Sequence, residues 1–88
     1  MFYVYILFSD KDNGFYIGFT AHINQRLKKH QDGEVFSTKT RRPLHLIYYE
    51  AHRNKYDALR RERYFKSNKG RTTIKTILRE SLHNIRIK

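Results

Sequence analysis

Two short segments near the start of the chain share a period of two. Tyr3-Val4-Tyr5-Ile6-Leu7 and Phe15-Tyr16-Ile17-Gly18-Phe19 are apolar at alternate positions and aromatic at many of the others. That pattern belongs to strands covered on both faces. Between them, Ser9-Asp10-Lys11-Asp12-Asn13-Gly14 is rich in turn formers, with Asn-Gly placed to supply a positive φ. The pair predicts a β-hairpin. A register that pairs residues whose numbers sum to an odd total puts Tyr5 and Tyr16 on one face, with Gly18 opposite Tyr5. The absent side chain at Gly18 then predicts open space over the phenols, where a ligand backbone approaches.

After Thr20 the period changes to that of a helix, running from about His22 to Gln31 with Thr20 as its N-cap and closing near Asp32-Gly33. Ile23 and Leu27 form its buried stripe. Arg26 and His30, at i+3 and i+7 from Ile23, border that stripe and are expected to look toward the sheet. Glu34 to Arg42 reads as a loop in which Ser37, Thr38 and Thr40 are interleaved with Lys39, Arg41 and Arg42, a composition that suits phosphate oxygens. Pro43 opens a third strand, Leu44 to Glu50, at the position where a strand tolerates proline.

A second helix is predicted from about Asn54 to Ser67. Ala58, Leu59 and Phe65 form its apolar arc, and Glu62 falls inside that arc. A carboxylate there is costly unless it pairs with a cation, Arg26 being one candidate, or binds a metal. Ser67-Asn68-Lys69-Gly70-Arg71 reads as a basic turn. A last helix beginning near Thr72 or Thr73 then carries Ile74, Ile77, Leu78, Leu82 and Ile85 as one amphipathic stripe. The order is β-β-α-β-α-α, a small sheet covered by helices in the α+β class.

Composition narrows the partner. The 88 residues are expected to form one domain, residues 1–88. They carry 19 lysines and arginines against 8 aspartates and glutamates, a net charge of +11, which points to a polyanion. An anionic membrane fits less well, because the basic residues are spread along the chain and not gathered on one amphipathic helix. Cysteine is absent, which removes disulfide frames and thiolate zinc sites. No apolar run approaches the ~20 residues of a membrane span, and the chain opens on a strand with no signal-peptide pattern. A cytoplasmic protein is expected.

The residues that carry chemistry are the two phenols Tyr5 and Tyr16, Arg26 and His30 on one helix, and Glu62 on another. Phosphodiester cleavage needs a proton acceptor, a cation for the developing charge and a leaving-group donor. One carboxylate holds Mg²⁺ through its remaining waters and the substrate phosphate, without an all-protein cage. Arginine supplies a forked clamp for phosphate oxygens. Lys28, Lys29, Lys39, Arg41, Arg42, Lys66, Asn68, Lys69 and Arg71 are the candidate nucleic-acid contacts. Other catalytic kits are missing: Ser37 has no His-Asp partners, no glycine-rich phosphate loop occurs, and the five histidines lack the close pairing of a zinc helix.

Tyr3-Val4-Tyr5, Tyr16-Ile17-Gly18-Phe19-Thr20, Gln25-Arg26-Leu27-Lys28-Lys29-His30 and Ala58-Leu59-Arg60-Arg61-Glu62 resemble, in order and spacing, the GIY-YIG endonuclease superfamily. The resemblance covers nearly the whole chain and is greatest to the small stand-alone bacterial members. It implies a three-stranded antiparallel sheet flanked by helices, and metal-dependent hydrolysis of nucleic acid with Mg²⁺ or Mn²⁺. DNA is the expected substrate, in repair or processing, with structured RNA as a further candidate. Tyr5 and Tyr16 match the tyrosines of the two motifs, either one being the water-activating phenol, and Gly18 is the structural glycine. Arg26 matches the arginine that steadies phosphate charge, His30 the histidine that assists proton transfer, and Glu62 the metal ligand. Asn68 is the nearest match to a polar residue that some members carry after the glutamate. The first motif departs from the family name, with Tyr3-Val4 in place of Gly-Ile. A non-catalytic nucleic-acid-binding module on the same fold is the alternative reading. A third is a subunit that associates with other proteins through Tyr48, Tyr49 and the last helix.

Overall fold

β1 (Phe2–Ser9) is the middle strand of a three-stranded sheet, and both of its neighbours run antiparallel to it. The computed structural model describes residues 1–86. β2 (Phe15–Thr20) lies on one side and β3 (Leu44–His52) on the other, giving the order β2-β1-β3. The central position explains why every residue from Val4 to Ser9 is buried. Tyr5 pairs with Gly18 and Leu7 with Tyr16, the odd-sum register that puts Tyr5 and Tyr16 on one face. Asn13 supplies the positive φ of the turn, at 58°. The turn is tied down from outside. Arg41 forks onto the Asp12 carboxylate at 2.6 and 3.2 Å, and Ser9 Oγ donates to the Arg41 carbonyl at 2.6 Å.

The even-numbered side chains of β1 build the core. Val4, Ile6, Phe8 and Ile17 pack against Ala58 and Phe65 of α2 (Lys55–Lys66), Ile74 of α3 (Asn68–Ile77), Leu78, and Leu82 of α4 (Arg79–Arg86). A bulge opposite Ile6 and Leu7 leaves Ile47 as an extra residue on β3, so that Tyr48 and Leu46 keep opposite faces. Beside the core, Glu50 accepts from Arg61 at 2.7 Å and from Tyr48 at 2.8 Å, which ties α2 to β3.

The C-terminal third departs from its sequence pattern. The Ser67-to-Arg71 connection is not a turn: Ser67 caps α3 by accepting from the Gly70 N–H at 3.1 Å, and Asn68, Lys69 and Arg71 are helical. The single long helix is also two, divided at Leu78. The apolar stripe survives the break at Ile74, Leu78 and Leu82, whereas Ile77 turns outward and is 49% exposed. Gly70 is why α3 packs so near the end of α2. A Cβ there would lie 1.9 Å from the Tyr64 carbonyl oxygen.

The sheet face that bears the odd-numbered residues of β1 carries Tyr3, Tyr5, Tyr16, Gly18, Leu46 and Tyr49. It is only half covered, which corrects the expectation of strands buried on both sides. α1 (Ile23–Gln31) lies over one end of it, where Leu27 and His30 line a small cavity together with Leu7, Leu44 and Leu46. Its N-terminus also differs in detail: Thr20 Oγ1 accepts from the His22 N–H at 3.0 Å, while His22 takes the cap position. Gly33, at φ 76°, ends the segment where the pattern placed its close. The loop after it contains a short 3-10 turn, Lys39–Arg41.

Candidate active site

Tyr5 anchors the site because it stands at the centre of the sheet and has no exposed surface. Its hydroxyl shares a 2.7 Å hydrogen bond with His30 Nε2. The other imidazole nitrogen, Nδ1, bonds Thr38 Oγ1 at 2.7 Å. His30 is 1% exposed, so the helical spacing that placed it beside the stripe has taken it into the interior. Tyr16, two residues before Gly18, packs its ring 6.3 Å from Tyr5 and 5.1 Å from His30. The space over Gly18 is not open, contrary to the expectation. A Cβ at Gly18 would fall 2.2 Å from the Tyr5 ring, so glycine there makes room for the phenol and not for a ligand.

Charge is arranged around this buried pair. The Arg26 guanidinium lies beside the Tyr5 hydroxyl and near Tyr16, and both phenols hold its pKa above the ordinary value. Burial pushes the Tyr5 phenol up to about 12, against the opposing pull of Arg26, with Tyr16 and Glu62 adding to the rise. Burial, with the Arg26 charge in support, lowers His30 to about 4. At neutral pH the centre therefore holds a neutral phenol and a neutral imidazole, in which one ring nitrogen donates and the other accepts. Glu62 acts on Tyr5 from α2, completing the group of five. Its carboxylate is 18% exposed and pairs with Lys66 at 3.1 Å, not with Arg26.

The buried imidazole gives folding a defined pH dependence. Its folded pKa of about 4 lies below the ordinary 6.5, so between these values the unfolded chain binds the extra proton. Stability is then complete above pH 6.5 and falls as the pH drops toward 4, by on the order of 2–3 kcal/mol. Thermal melts across that window are expected to show the loss, and His30→Gln to flatten it. Asp12, held at about 2 by Arg41, titrates below this range.

Glu62 can be tested as a metal site from its donors. Among the described residues no three His, Cys, Asp or Glu side chains gather as a cage. A lone, partly exposed carboxylate whose partner is a flexible lysine one helical turn away suits Mg²⁺, which keeps most of its waters. It does not suit zinc, which takes three or four protein ligands. The residues present fit a hydrated divalent ion.

The candidate phosphate contacts are less uniform than their charge suggests. Lys29, Asn68, Lys69 and Arg71 are exposed. Lys28 is exposed but paired with Asp32 at 3.0 Å, and Lys39 sits over the Phe36 ring at 5.2 Å. Arg41 is spent on Asp12 and the Phe15 carbonyl, and Arg42 on the carbonyls of Gln31 and Lys39. The sequence marks Thr38 only as one hydroxyl of a loop suited to phosphate oxygens. Its partnership with His30 joins residues eight apart through a loop, and no periodicity signals that.

A central strand tyrosine hydrogen-bonded to a helix histidine, with a second tyrosine, an arginine and a glutamate around it, is the group that the resemblance to the GIY-YIG family leads one to expect. The model of the GIY-YIG catalytic domain matches residues 1–75, and the chain belongs to that family. Its relatives include small bacterial UPF0213 proteins. That of Limosilactobacillus reuteri is 41% identical over 80 residues, covering 88% of this chain and 82% of that protein. That of Staphylococcus haemolyticus is 40% identical over 76 residues, covering 85% and 92%. The solution NMR structure of a UPF0213 protein from Bacillus halodurans superposes with a TM-score of 0.56 at 32% identity, covering 88% of this chain and 85% of that one.

Proposed function

We propose that this chain is a divalent-metal-dependent endonuclease that hydrolyses phosphodiester bonds of nucleic acid, with DNA as its substrate. The observation that carries the reading is the convergence of Tyr5, Tyr16, Arg26, His30 and Glu62, from four different elements, around one 2.7 Å phenol–imidazole hydrogen bond. Glu62 holds the metal, Mg²⁺ or Mn²⁺, which when bound supplies Lewis acidity at the phosphate and acidifies a coordinated water. The net charge of +11 supports a polyanionic substrate. Among the described residues no helix is long and apolar enough to cross a membrane.

The two tyrosines divide the work. Tyr5 has no exposed surface and a pKa pushed up to about 12, so it neither touches water nor ionises readily. Tyr16 is half-buried and reaches solvent on the same face. Tyr16, as its phenolate, is therefore the group that accepts the proton of the attacking water and becomes a neutral phenol, with Arg26 stabilising the negative charge on the phenolate and on the phosphate. Tyr5 and His30 hold Arg26 and Tyr16 in place from beneath. Tyr16→Phe is expected to lower kcat about a hundred-fold or more with little change in KM, as for loss of a general base. Tyr5→Phe, which removes only the buried hydroxyl, is expected to lose less. Steady-state cleavage of a labelled oligonucleotide measures both, and the reverse ranking would exchange the roles.

A further inference from the structure

The half of the catalytic face that α1 leaves uncovered is aromatic. Tyr49 stands directly opposite Tyr5 across the sheet, and Tyr3 lies on the same face beside it. Their rings approach at 6.3 Å between centroids, inclined by 53°. Tyr49 is 55% exposed, and its neighbour Ala51, also exposed, adds no bulk over the patch. A tyrosine so placed contributes little to the core, which lies on the other face of the sheet.

We propose that Tyr49, supported by Tyr3, is a stacking platform for an unpaired base next to the scissile phosphate, so that the substrate is engaged as a single strand at that point. The inference rests on the nuclease reading above and adds the state of the strand. Adjacent strands are ~5 Å apart, so a base on Tyr49 belongs to the nucleotide neighbouring a phosphate held at Arg26 and Glu62. Exposed aromatics on a sheet beside cationic groups are how proteins hold single strands, since each base offers a π-face regardless of sequence. A base inside a duplex presents only its edge. Arg26 on the same face supplies the cation for the backbone, and the patch is continuous with the site through the Tyr5–Tyr49 pair.

The test is binding of a fluorescein-labelled 12-nucleotide oligothymidylate, and of a mixed-sequence duplex of equal length, by fluorescence anisotropy. Both are measured in chelator on the Glu62→Ala background, with Tyr49→Ala and Tyr49→Phe added. Tyr49→Ala is expected to weaken single-strand binding about ten-fold and duplex binding much less, whereas Tyr49→Phe retains both. The salt dependence should be unchanged, because no phosphate contact is removed. Unaltered single-strand affinity in Tyr49→Ala, or an equal loss for duplex, would overturn the platform while leaving the nuclease reading intact. Self-association of the protein that disappears in Tyr49→Ala would assign the patch to a second copy and overturn it as well. Failure to bind either oligonucleotide before Tyr49 is altered would remove the nuclease reading and the platform with it.

Discussion

Glu62→Ala is expected to abolish cleavage while leaving nucleic-acid affinity and folding nearly unchanged. The carboxylate sits at the margin of the core, 18% exposed, with Lys66 as its one ion-pair partner among the described residues. An exposed i,i+4 pair contributes only a few tenths of a kcal/mol, so its removal costs little stability. The catalytic loss is of a different size. Removing the group that holds the metal withdraws several kcal/mol of charge stabilisation, and about 4 kcal/mol corresponds to roughly a thousand-fold in rate. Assays of wild type and Glu62→Ala on branched, nicked, single- and double-stranded DNA, with Mg²⁺, Mn²⁺ or chelator, measure the loss. Anisotropy on the same substrates separates it from binding. If wild type and variant cut at the same rate, Glu62 is not the metal ligand. If both bind and neither cuts, the binding-module reading takes precedence.

Gly70→Ala is expected to be the most damaging of the small substitutions, costing about 3 kcal/mol of stability. Its Cβ would meet the Tyr64 carbonyl oxygen at 1.9 Å and the Phe65 Cα at 2.6 Å. Both are backbone atoms of α2 and cannot rotate aside. α3 would have to move away from α2, opening the contact between Ile74 and Phe65 in the core. Alanine otherwise favours a helix over glycine by about 1 kcal/mol, so a destabilisation would report the packing clash against propensity. Urea denaturation of the two proteins decides it, and an unchanged or raised midpoint would contradict the packing described for α3.

How far each residue could be read depended on how local its cause is. The hairpin and the Asn13 turn follow from alternation and turn chemistry within nineteen residues, and both are found in the structure; the odd-sum register, for which the sequence states only the consequence, is found as well. The sequence also placed Arg26 and His30 on the sheet side of α1, because helical spacing is a property of the backbone alone. The last helix could not be read the same way. Its stripe of Ile74, Ile77, Leu78, Leu82 and Ile85 suits one long helix, but the structure divides it at Leu78, keeps Ile74, Leu78 and Leu82 in the core and turns Ile77 outward. The Ser67-Asn68-Lys69-Gly70-Arg71 segment reads as a basic turn, with Gly70 inside it. Here that glycine is the contact that lets two helices meet, which depends on a partner surface that the local sequence does not describe.

The sequence by itself determined the α+β class, the basic charge and the five polar groups whose order and spacing mark the family. These are properties of local pattern and composition. Only the tertiary structure decided what those groups are to one another. It took Tyr5 and His30 out of water, left Tyr16 at the surface, filled the space over Gly18 with a phenol and left Tyr49 bare. Protonation and access depend on burial and on neighbours distant in the chain, and those are set when the sheet closes against its helices.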